Sequence, residues 1–383
     1  MAFDGSGIEQ LLSGAVSDGT YAGVSALVVG RDGVLHQSSH GEAREDTMFR
    51  NASMTKALAT VGALQLVEQG RLDLAATVES ILPAFGELQV LDGFDGERPR
   101  LRPPASKATI RQLMSHTAGC GYFFLNANFA RYAELTGLPS PLTGLKASLR
   151  GPLVNDPGKV WEYGVNTDWL GLVVEELSGQ TLGAYLAEHV FGPLGMTDMT
   201  FRPTDAQRAR LLPIRTRDAE GVLVEMGLDF PPDPEWDAAG HGSFGTIGDY
   251  GRFLQAMLNG GGGVLKRETV DLAFSDQLNG APLPEIMVSV DKTLSNDVPS
   301  LPVPQGWGLG FHLVSVDLPG MRSAGTGDWA GICNTYYWID RSAGIGGAIM
   351  TQVLPFFDDR IVPVLLGFEM AVYEQVGAAV PAA

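Results

Sequence analysis

Basic residues are scarce in this 383-residue chain, which has 26 lysines and arginines against 44 aspartates and glutamates. The formal net charge is therefore −18, and such an acidic surface repels phosphate backbones and anionic lipid headgroups. No apolar stretch reaches the roughly 18 uninterrupted residues that a membrane-spanning helix requires. These absences argue against binding to nucleic acid and against a membrane role.

Cysteine is equally rare, since only Cys120 and Cys333 are present. Two cysteines cannot form a disulfide framework, so we predict that both are small buried residues in a reducing compartment. The N-terminus carries Asp4 and Glu9 and lacks the basic-then-apolar layout of a secretory signal. These features together predict a cytoplasmic location.

Metal and nucleotide motifs are also missing. The six histidines show no spacing of the His-Glu-x-x-His kind, and no phosphate-loop motif of glycines followed by lysine is present. We therefore expect no metal and no other cofactor. Charged residues make up 18% and hydrophobic residues 45% of the chain, which is typical of a compact globular enzyme of about two domains.

The most informative segment is Ser53-Met54-Thr55-Lys56, which opens an apolar helical run. A serine and a lysine three apart on a helix lie about 60° from each other on one face. A serine hydroxyl is a weak nucleophile until a base removes its proton, and a neighbouring amine can do so. The run continues to Gln69, is apolar on nearly every side, and ends at Gly70, so it predicts a buried helix. A lysine at the start of such a helix is not an ordinary surface charge.

Two other segments resemble reactive-serine motifs and serve as controls. Ser289-Val290-Asp291-Lys292 repeats the Ser-x-x-Lys spacing but leads into turn residues, which predicts a loop. His241-Gly242-Ser243-Phe244-Gly245 resembles the nucleophile elbow Gly-x-Ser-x-Gly, but a histidine replaces the first glycine of the sharp turn. We interpret this segment as a loop before a helix at Asp249.

Strand signals occur near both ends of the chain and helical signals between them. A hairpin is predicted around residues 31–33, strands over 307–316, 332–339 and 346–354, and an apolar helix over 358–376. Strands at both termini suggest one α/β domain built from residues 1–71 and 240–383. The intervening residues 72–239 are predicted to form a mostly helical domain, with a cleft between the two.

Several motifs together resemble the serine β-lactamase and penicillin-binding-protein superfamily. Their order and spacing match over about residues 20 to 350, and the similarity is greatest to the class C β-lactamase-like carboxylesterases, often called family VIII esterases. The resemblance implies an antiparallel sheet flanked by helices, an α/β fold of the β-lactamase/transpeptidase type, with an added helical domain. The motifs are 49–56 (FRNASMTK), 113–119 (LMSHTAG), 157–163 (PGKVWEY), 192–199 (GPLGMTDM) and 245–250 (GTIGDY).

The resemblance also implies roles for individual residues. Ser53 is the expected acyl-accepting nucleophile and Lys56 its base. Tyr163 corresponds to the tyrosine of the second superfamily motif, where it would share the proton network of Lys56 and protonate the leaving group.

The chain departs from the β-lactamases at two motifs. Their Tyr-x-Asn motif is replaced by Tyr163-Gly164-Val165, with Asn166 one place late, so a substrate-binding role for Asn166 requires a different orientation. Their Lys-Thr-Gly motif is missing, and Trp329-Ala330-Gly331 resembles the Trp-x-Gly of the esterase branch. By that resemblance Gly331 belongs to the strand lining the cleft and Trp329 forms a pocket wall. The N–H groups of Ile332 and Ser53 would then stabilise the oxyanion.

We therefore predict a serine carboxylesterase that acts on small-molecule esters through an acyl-Ser53 intermediate. Transfer of the acyl group to an alcohol, D-amino-acid amidase or peptidase activity, and weak β-lactamase activity are alternatives at the same site. A non-catalytic, peptidoglycan-related binding module is an alternative of another class. The sequence leaves the natural substrate and the oligomeric state open.

Overall fold

The computed structural model describes residues 3–379 of the chain. Its helices range from single turns to the long C-terminal helix, and several of the short ones follow one another without an intervening strand. The α-helices are α1 (Ser6–Ser17), α2 (Thr55–Glu68), α3 (Ile110–Met114), α4 (Ala127–Thr136), α5 (Asn166–Ser178), α6 (Leu182–Leu186), α7 (Gly192–Leu194), α8 (Asp205–Arg208), α9 (Ile247–Leu258), α10 (Arg267–Ala273) and α11 (Ile361–Ala379).

The strands fall into one large sheet and several small ones. The strands are β1 (Gly23–Gly30), β2 (Gly33–Gly41), β3 (Phe49–Arg50), β4 (Val90–Asp95), β5 (Arg98–Arg102), β6 (Arg215–Arg217), β7 (Leu223–Glu225), β8 (Phe244–Gly245), β9 (Ile286–Met287), β10 (Val298–Pro299), β11 (Gln305–Trp307), β12 (His312–Val314), β13 (Thr326–Gly331), β14 (Thr335–Asp340), β15 (Ile345–Met350) and β16 (Val353–Leu354). Seven of them form an antiparallel sheet in the order β11-β12-β13-β14-β15-β1-β2.

Helices cover both faces of this sheet because β1 is apolar on both of its faces. Val24, Ala26 and Val28 pack into a cluster with residues of α1 and α11, whereas Leu27 and Val29 pack into the main core with α2 and α9. Successive strand residues point to opposite faces, so this eight-residue strand, which is buried throughout, requires a helical layer on each side. The predicted antiparallel sheet flanked by helices is confirmed.

The close packing of α9 on β1 depends on a glycine. A β-carbon added at Gly251 of α9 would lie 2.7 Å from a methyl group of Leu27, well inside van der Waals contact. A larger residue would therefore force either the Leu27 side chain or the helix to shift. The approach of α9 matters for the site because the hydroxyl of Tyr250, also on α9, donates to the Met54 carbonyl 3.1 Å away.

The sequence predicted several strand boundaries wrongly. The segment predicted as a strand over 332–339 begins as a turn: β13 ends at Gly331, Asn334 has φ of 55°, and β14 starts at Thr335. The segment 307–316 contains the last residue of β11, the connection that follows it and all of β12. Segment 346–354 is likewise divided between β15 and β16, which belong to different sheets. The connections after β13 and β15 are short and buried, with Cys333, Asn334, Thr351 and Gln352 all inside the protein, so they lack the exposed polar residues that mark most turns.

The seven sheet strands lie within the two segments predicted for the α/β domain, and α3 to α8 lie within 72–239. That middle segment also contains the hairpins β4-β5 and β6-β7, which the sequence analysis did not predict. The division into two domains stays a prediction. Cys120 and Cys333 are both buried and unpaired, as predicted. Across residues 3–379, no helix combines the length and the apolar character needed to span a bilayer.

Candidate active site

Ser53 and Lys56 meet at the N-terminus of the buried helix α2. Ser53 lies in a short 3-10 turn over 52–54, and the preceding Ala52 has φ of 46°, a strained conformation for a residue with a side chain. The Lys56 side chain is only 2% exposed. Its Nζ donates to Ser53 Oγ at 3.1 Å, to the Tyr122 hydroxyl at 3.1 Å and to the Gly240 carbonyl at 2.7 Å. These three contacts hold the side-chain nitrogen of Lys56 in one position.

A buried carboxylate lies behind this lysine. Asp168, on α5, accepts a hydrogen bond from Gly240 N–H at 2.7 Å through Oδ1. Burial raises its pKa to about 6, although the charge of Lys56, the Gly240 N–H and the nearby hydroxyl of Tyr122 all lower it. Oδ2 has no hydrogen bond of ordinary geometry within the described part of the chain. When it is ionised, Asp168 therefore places a buried negative charge near Lys56.

Tyr163 lies on the other side of Lys56 and presents its ring rather than its hydroxyl. Lys56 Nζ is 4.7 Å from the centre of the Tyr163 ring, a cation–π distance. The Tyr163 hydroxyl instead accepts a hydrogen bond from Trp329 Nε1 at 2.9 Å. The ring is also packed against Trp161 and His116, with centres 5.9 Å and 5.0 Å away. The hydroxyl that binds Lys56 in this structure therefore belongs to Tyr122, which the sequence analysis missed.

Asn166 lies inside the protein rather than on an open wall. The residue is completely buried at the start of α5, and its amide nitrogen donates to the carbonyls of Glu162 and Cys120 and lies 3.0 Å from His116 Nδ1. Burial, followed by the charge of Lys56, holds the pKa of His116 well below its usual range. Asn166 and a neutral His116 thus support the segment that carries Tyr163. Asn166 is not among the residues that line the cavity beside Ser53, and its role in substrate binding stays a prediction.

The end of strand β13 reaches the turn that carries Ser53. A β-carbon added at Gly331 would lie 2.5 Å from the carbonyl oxygen of Asn51, so only glycine allows this approach. Ile332 follows in the turn, not in a strand as predicted, and lines the same cavity as Ser53. Trp329 packs at this end of the sheet through its contact with Tyr163. The two backbone amides predicted for the oxyanion therefore belong to adjacent segments.

A mainly apolar cavity opens beside Ser53. Its walls come from residues far apart in the chain: Ala52, Ser53, Tyr122, Phe123, Phe124, Pro141, Leu142, Ile214, Leu228, Phe230, His241, Leu294, Ile332, Cys333 and Leu354. Among these described wall residues none is a lysine or arginine. Nor do residues 3–379 contain a group of three or more histidine, cysteine or acidic side chains arranged to bind a metal. The cavity therefore suits an uncharged organic group.

The two control motifs take structural positions. Ser289 is in a loop, as predicted, and Lys292 pairs with Asp297 rather than with the serine. Ser243 is buried in the loop before α9, and its Oγ lies 2.8 Å from Thr55 Oγ1. Ser243 Oγ thus contacts Asn51 Nδ2 and Thr55 Oγ1, neither of which is a base, and it braces the N-terminus of α2.

Two members of the cluster had different chances of being found from sequence. Asp168 directly precedes the apolar stretch from Trp169 to Val174 of α5, and a carboxylate beside such a buried stretch signals a buried partner. Tyr122 lies in an irregular segment followed by two phenylalanines, where only a long-range contact distinguishes it from a core aromatic.

Comparison with known proteins agrees with this geometry. A family model described as Beta-lactamase matches residues 8–366. The chain is 35% identical over 344 residues to monacolin J acid methylbutanoyltransferase of Aspergillus terreus, covering 86% of this chain and 83% of that protein. It is 31% identical over 351 residues to lovastatin esterase of Penicillium rubens, covering 87% and 86%. The solved structure of unliganded simvastatin synthase (LovD) from Aspergillus terreus superimposes with a TM-score of 0.82 at 30% identity, covering 96% of this chain and 97% of that one.

Proposed function

The chain belongs to the β-lactamase family and is an enzyme of the serine hydrolase type, and from this premise we propose that it acts on carboxylic esters through an acyl-Ser53 intermediate. The observation that carries the proposal is the 3.1 Å contact between Ser53 Oγ and the buried Lys56 amine. Its substrates are small-molecule esters that fit the apolar cavity beside Ser53. The buried, unpaired cysteines are compatible with the proposed cytoplasmic location.

In the proposed acylation step, Ser53 Oγ attacks the ester carbonyl while the Lys56 amine, acting as the base, takes the hydroxyl proton. The Ser53–carbonyl bond forms, the bond to the alcohol oxygen breaks, and that oxygen receives the proton. Tyr122 and Gly240 hold the amine during this exchange. Tyr163, whose ring contacts the same amine, is proposed to deliver the proton to the leaving oxygen. The amides of Ser53 and Ile332 are proposed to bind the oxyanion.

Transfer of the acyl group to an alcohol is the second candidate, and the character of the cavity favours it. Water gains few hydrogen bonds from walls built mainly of leucine, isoleucine, phenylalanine and proline side chains. An alcohol with an apolar body would bury surface there and so compete with water for the acyl-enzyme. The relatives named acyltransferase and esterase support both outcomes. We propose hydrolysis as the basal reaction and transfer when a suitable alcohol is present.

The test uses p-nitrophenyl butyrate and two matched serine variants. Ser53→Ala is expected to lower kcat/KM by about 10³-fold or more, because it deletes the attacking oxygen, whereas Ser289→Ala, in the other Ser-x-x-Lys segment, retains wild-type turnover. A fluorophosphonate should add its mass to Ser53 alone. Ester turnover that survives Ser53→Ala would refute the proposal. Loss of ester turnover in Ser289→Ala would instead assign the nucleophile to the loop that contains Ser289. Adding a primary alcohol and measuring ester formation against free acid separates transfer from hydrolysis.

A further inference from the structure

His241 lies at the boundary between two cavities. It lines the cavity beside Ser53 and also a neighbouring apolar cavity, and Phe230 and Pro141 are likewise shared by both. It directly follows Gly240, whose carbonyl oxygen holds the Lys56 amine. An imidazole is therefore built into the wall next to the reacting groups.

The His241 ring is held by aromatic contacts and not by hydrogen bonds. Its centre lies 5.4 Å from that of Phe230 and 6.3 Å from that of Trp236, both edge-on. Neither ring nitrogen bonds to any residue within 3–379. By contrast, the hydroxyls of Ser53 and Tyr122, which line the same cavity, are already bound to Lys56. The imidazole thus has hydrogen-bonding capacity that the protein leaves unused.

The imidazole is uncharged at the pH of ordinary assays. Burial and the charge of Lys56 lower the pKa of His241 to about 3. A neutral imidazole carries one donor and one acceptor, which matches a hydroxyl group that can both accept and donate. A base with so low a pKa is poorly suited to remove a proton near neutrality, so binding is favoured over proton transfer.

We propose that His241 is a specificity-determining residue that hydrogen-bonds a hydroxyl group of the substrate. The inference rests on the proposed function of the Ser53 site. The hydroxyl belongs either to the acyl part or to the alcohol part of the ester, since both parts meet at Ser53. In either case, His241 favours binding of a substrate whose hydroxyl reaches the imidazole, whereas the apolar side chains of the same wall disfavour a hydroxyl at other positions.

Three esters of nearly equal size test the proposal in the full-length protein: butyl butyrate, butyl 3-hydroxybutyrate and 3-hydroxybutyl butyrate. The measured quantity is kcat/KM for each hydroxylated ester divided by that for butyl butyrate. His241→Phe is expected to lower this ratio about three- to tenfold for one hydroxylated ester, the range of one neutral hydrogen bond. The ester that responds identifies which part of the substrate carries the hydroxyl.

Matched variants separate hydrogen bonding from cavity shape. His241→Asn places an amide near the position of Nδ1 and His241→Gln near that of Nε2, so one of them should restore the ratio. Leu294→Val reshapes the wall of the same cavity without removing a polar group or a ring that packs on His241, and it should leave the ratio unchanged. His189→Gln, at a histidine outside the cavity, should leave all three rates unchanged.

Ratios that stay constant in His241→Phe for both hydroxylated esters, while Ser53-dependent turnover persists, would overturn this inference and leave the proposed function intact. If His241→Phe does not fold, the comparison uses His241→Asn and His241→Gln instead. The same kcat/KM ratio in both of these variants would overturn the inference about His241. Absence of Ser53-dependent turnover of every ester, butyl butyrate included, would instead overturn the proposed function and this inference with it.

Discussion

Replacing Asp168 by asparagine tests whether the buried, ionised carboxylate near Lys56 lowers the free energy of unfolding. Asp168 is completely buried, and its pKa rises from 3.8 to about 6 on folding because burial outweighs the favourable charge of Lys56. Asparagine has almost the same shape and can still accept the Gly240 N–H bond. The substitution therefore removes the charge with little change in packing.

The sign of the effect follows from the direction of the pKa shift. Because the folded protein holds the proton more tightly than the unfolded chain, this group costs stability as the pH rises from about 4 to 6. A shift of about 2 pKa units corresponds to about 3 kcal/mol once both states are ionised. About 1 kcal/mol of that cost arises between pH 5 and pH 7.5. Asp168→Asn should therefore be more stable than wild type, and its advantage should be larger by this amount at pH 7.5.

Urea unfolding of both proteins at pH 5 and pH 7.5, followed by tryptophan fluorescence, measures the difference directly. Asp32→Asn, on the exposed turn between β1 and β2, is the control and should show no pH-dependent advantage. The same Asp168→Asn protein should lose ester turnover, since the amide supplies no charge to Lys56. If the difference in free energy of unfolding between Asp168→Asn and wild type does not increase from pH 5 to pH 7.5, ionisation of the buried carboxylate does not destabilise the fold and the reasoning is refuted.

Two further predictions concern the tyrosines and the substrate class. Tyr122→Phe removes a hydrogen bond to the amine of Lys56 and should lower kcat/KM for p-nitrophenyl butyrate about 10- to 100-fold. Tyr163→Phe should also lower kcat/KM. A double variant whose loss equals the full product of the two single losses would show that the two tyrosines act independently. Penicillins should be hydrolysed with a kcat/KM about 10- to 100-fold lower than that of short p-nitrophenyl esters. The reason is that the described cavity residues include no lysine or arginine that could pair with the β-lactam carboxylate. Equal kcat/KM values for the two substrate classes would contradict this prediction.

Local sequence patterns were enough to predict the elements that depend on neighbouring residues. The apolar run after Lys56 predicted α2, and the turn at 31–33 predicted the β1-β2 hairpin. The motif at 53–56 predicted the Ser53–Lys56 pair because three residues of helix place both side chains on one face. The family resemblance then predicted the sheet and its flanking helices, which are confirmed.

The tertiary structure decided which groups surround that pair. Tyr122, Asp168, Gly240 and His241 come from distant loops and helices, and no local periodicity brings them to Lys56. The turn at Ile332 was also concealed, because Cys333 and Asn334 are buried and the turn lacks the exposed polar residues that usually mark a strand end. The sequence by itself therefore determined the nucleophile Ser53 and its neighbouring amine on Lys56. The buried carboxylate near that amine, the orientation of the amine and the cavity beside Ser53 depend on contacts that form only when remote segments pack together.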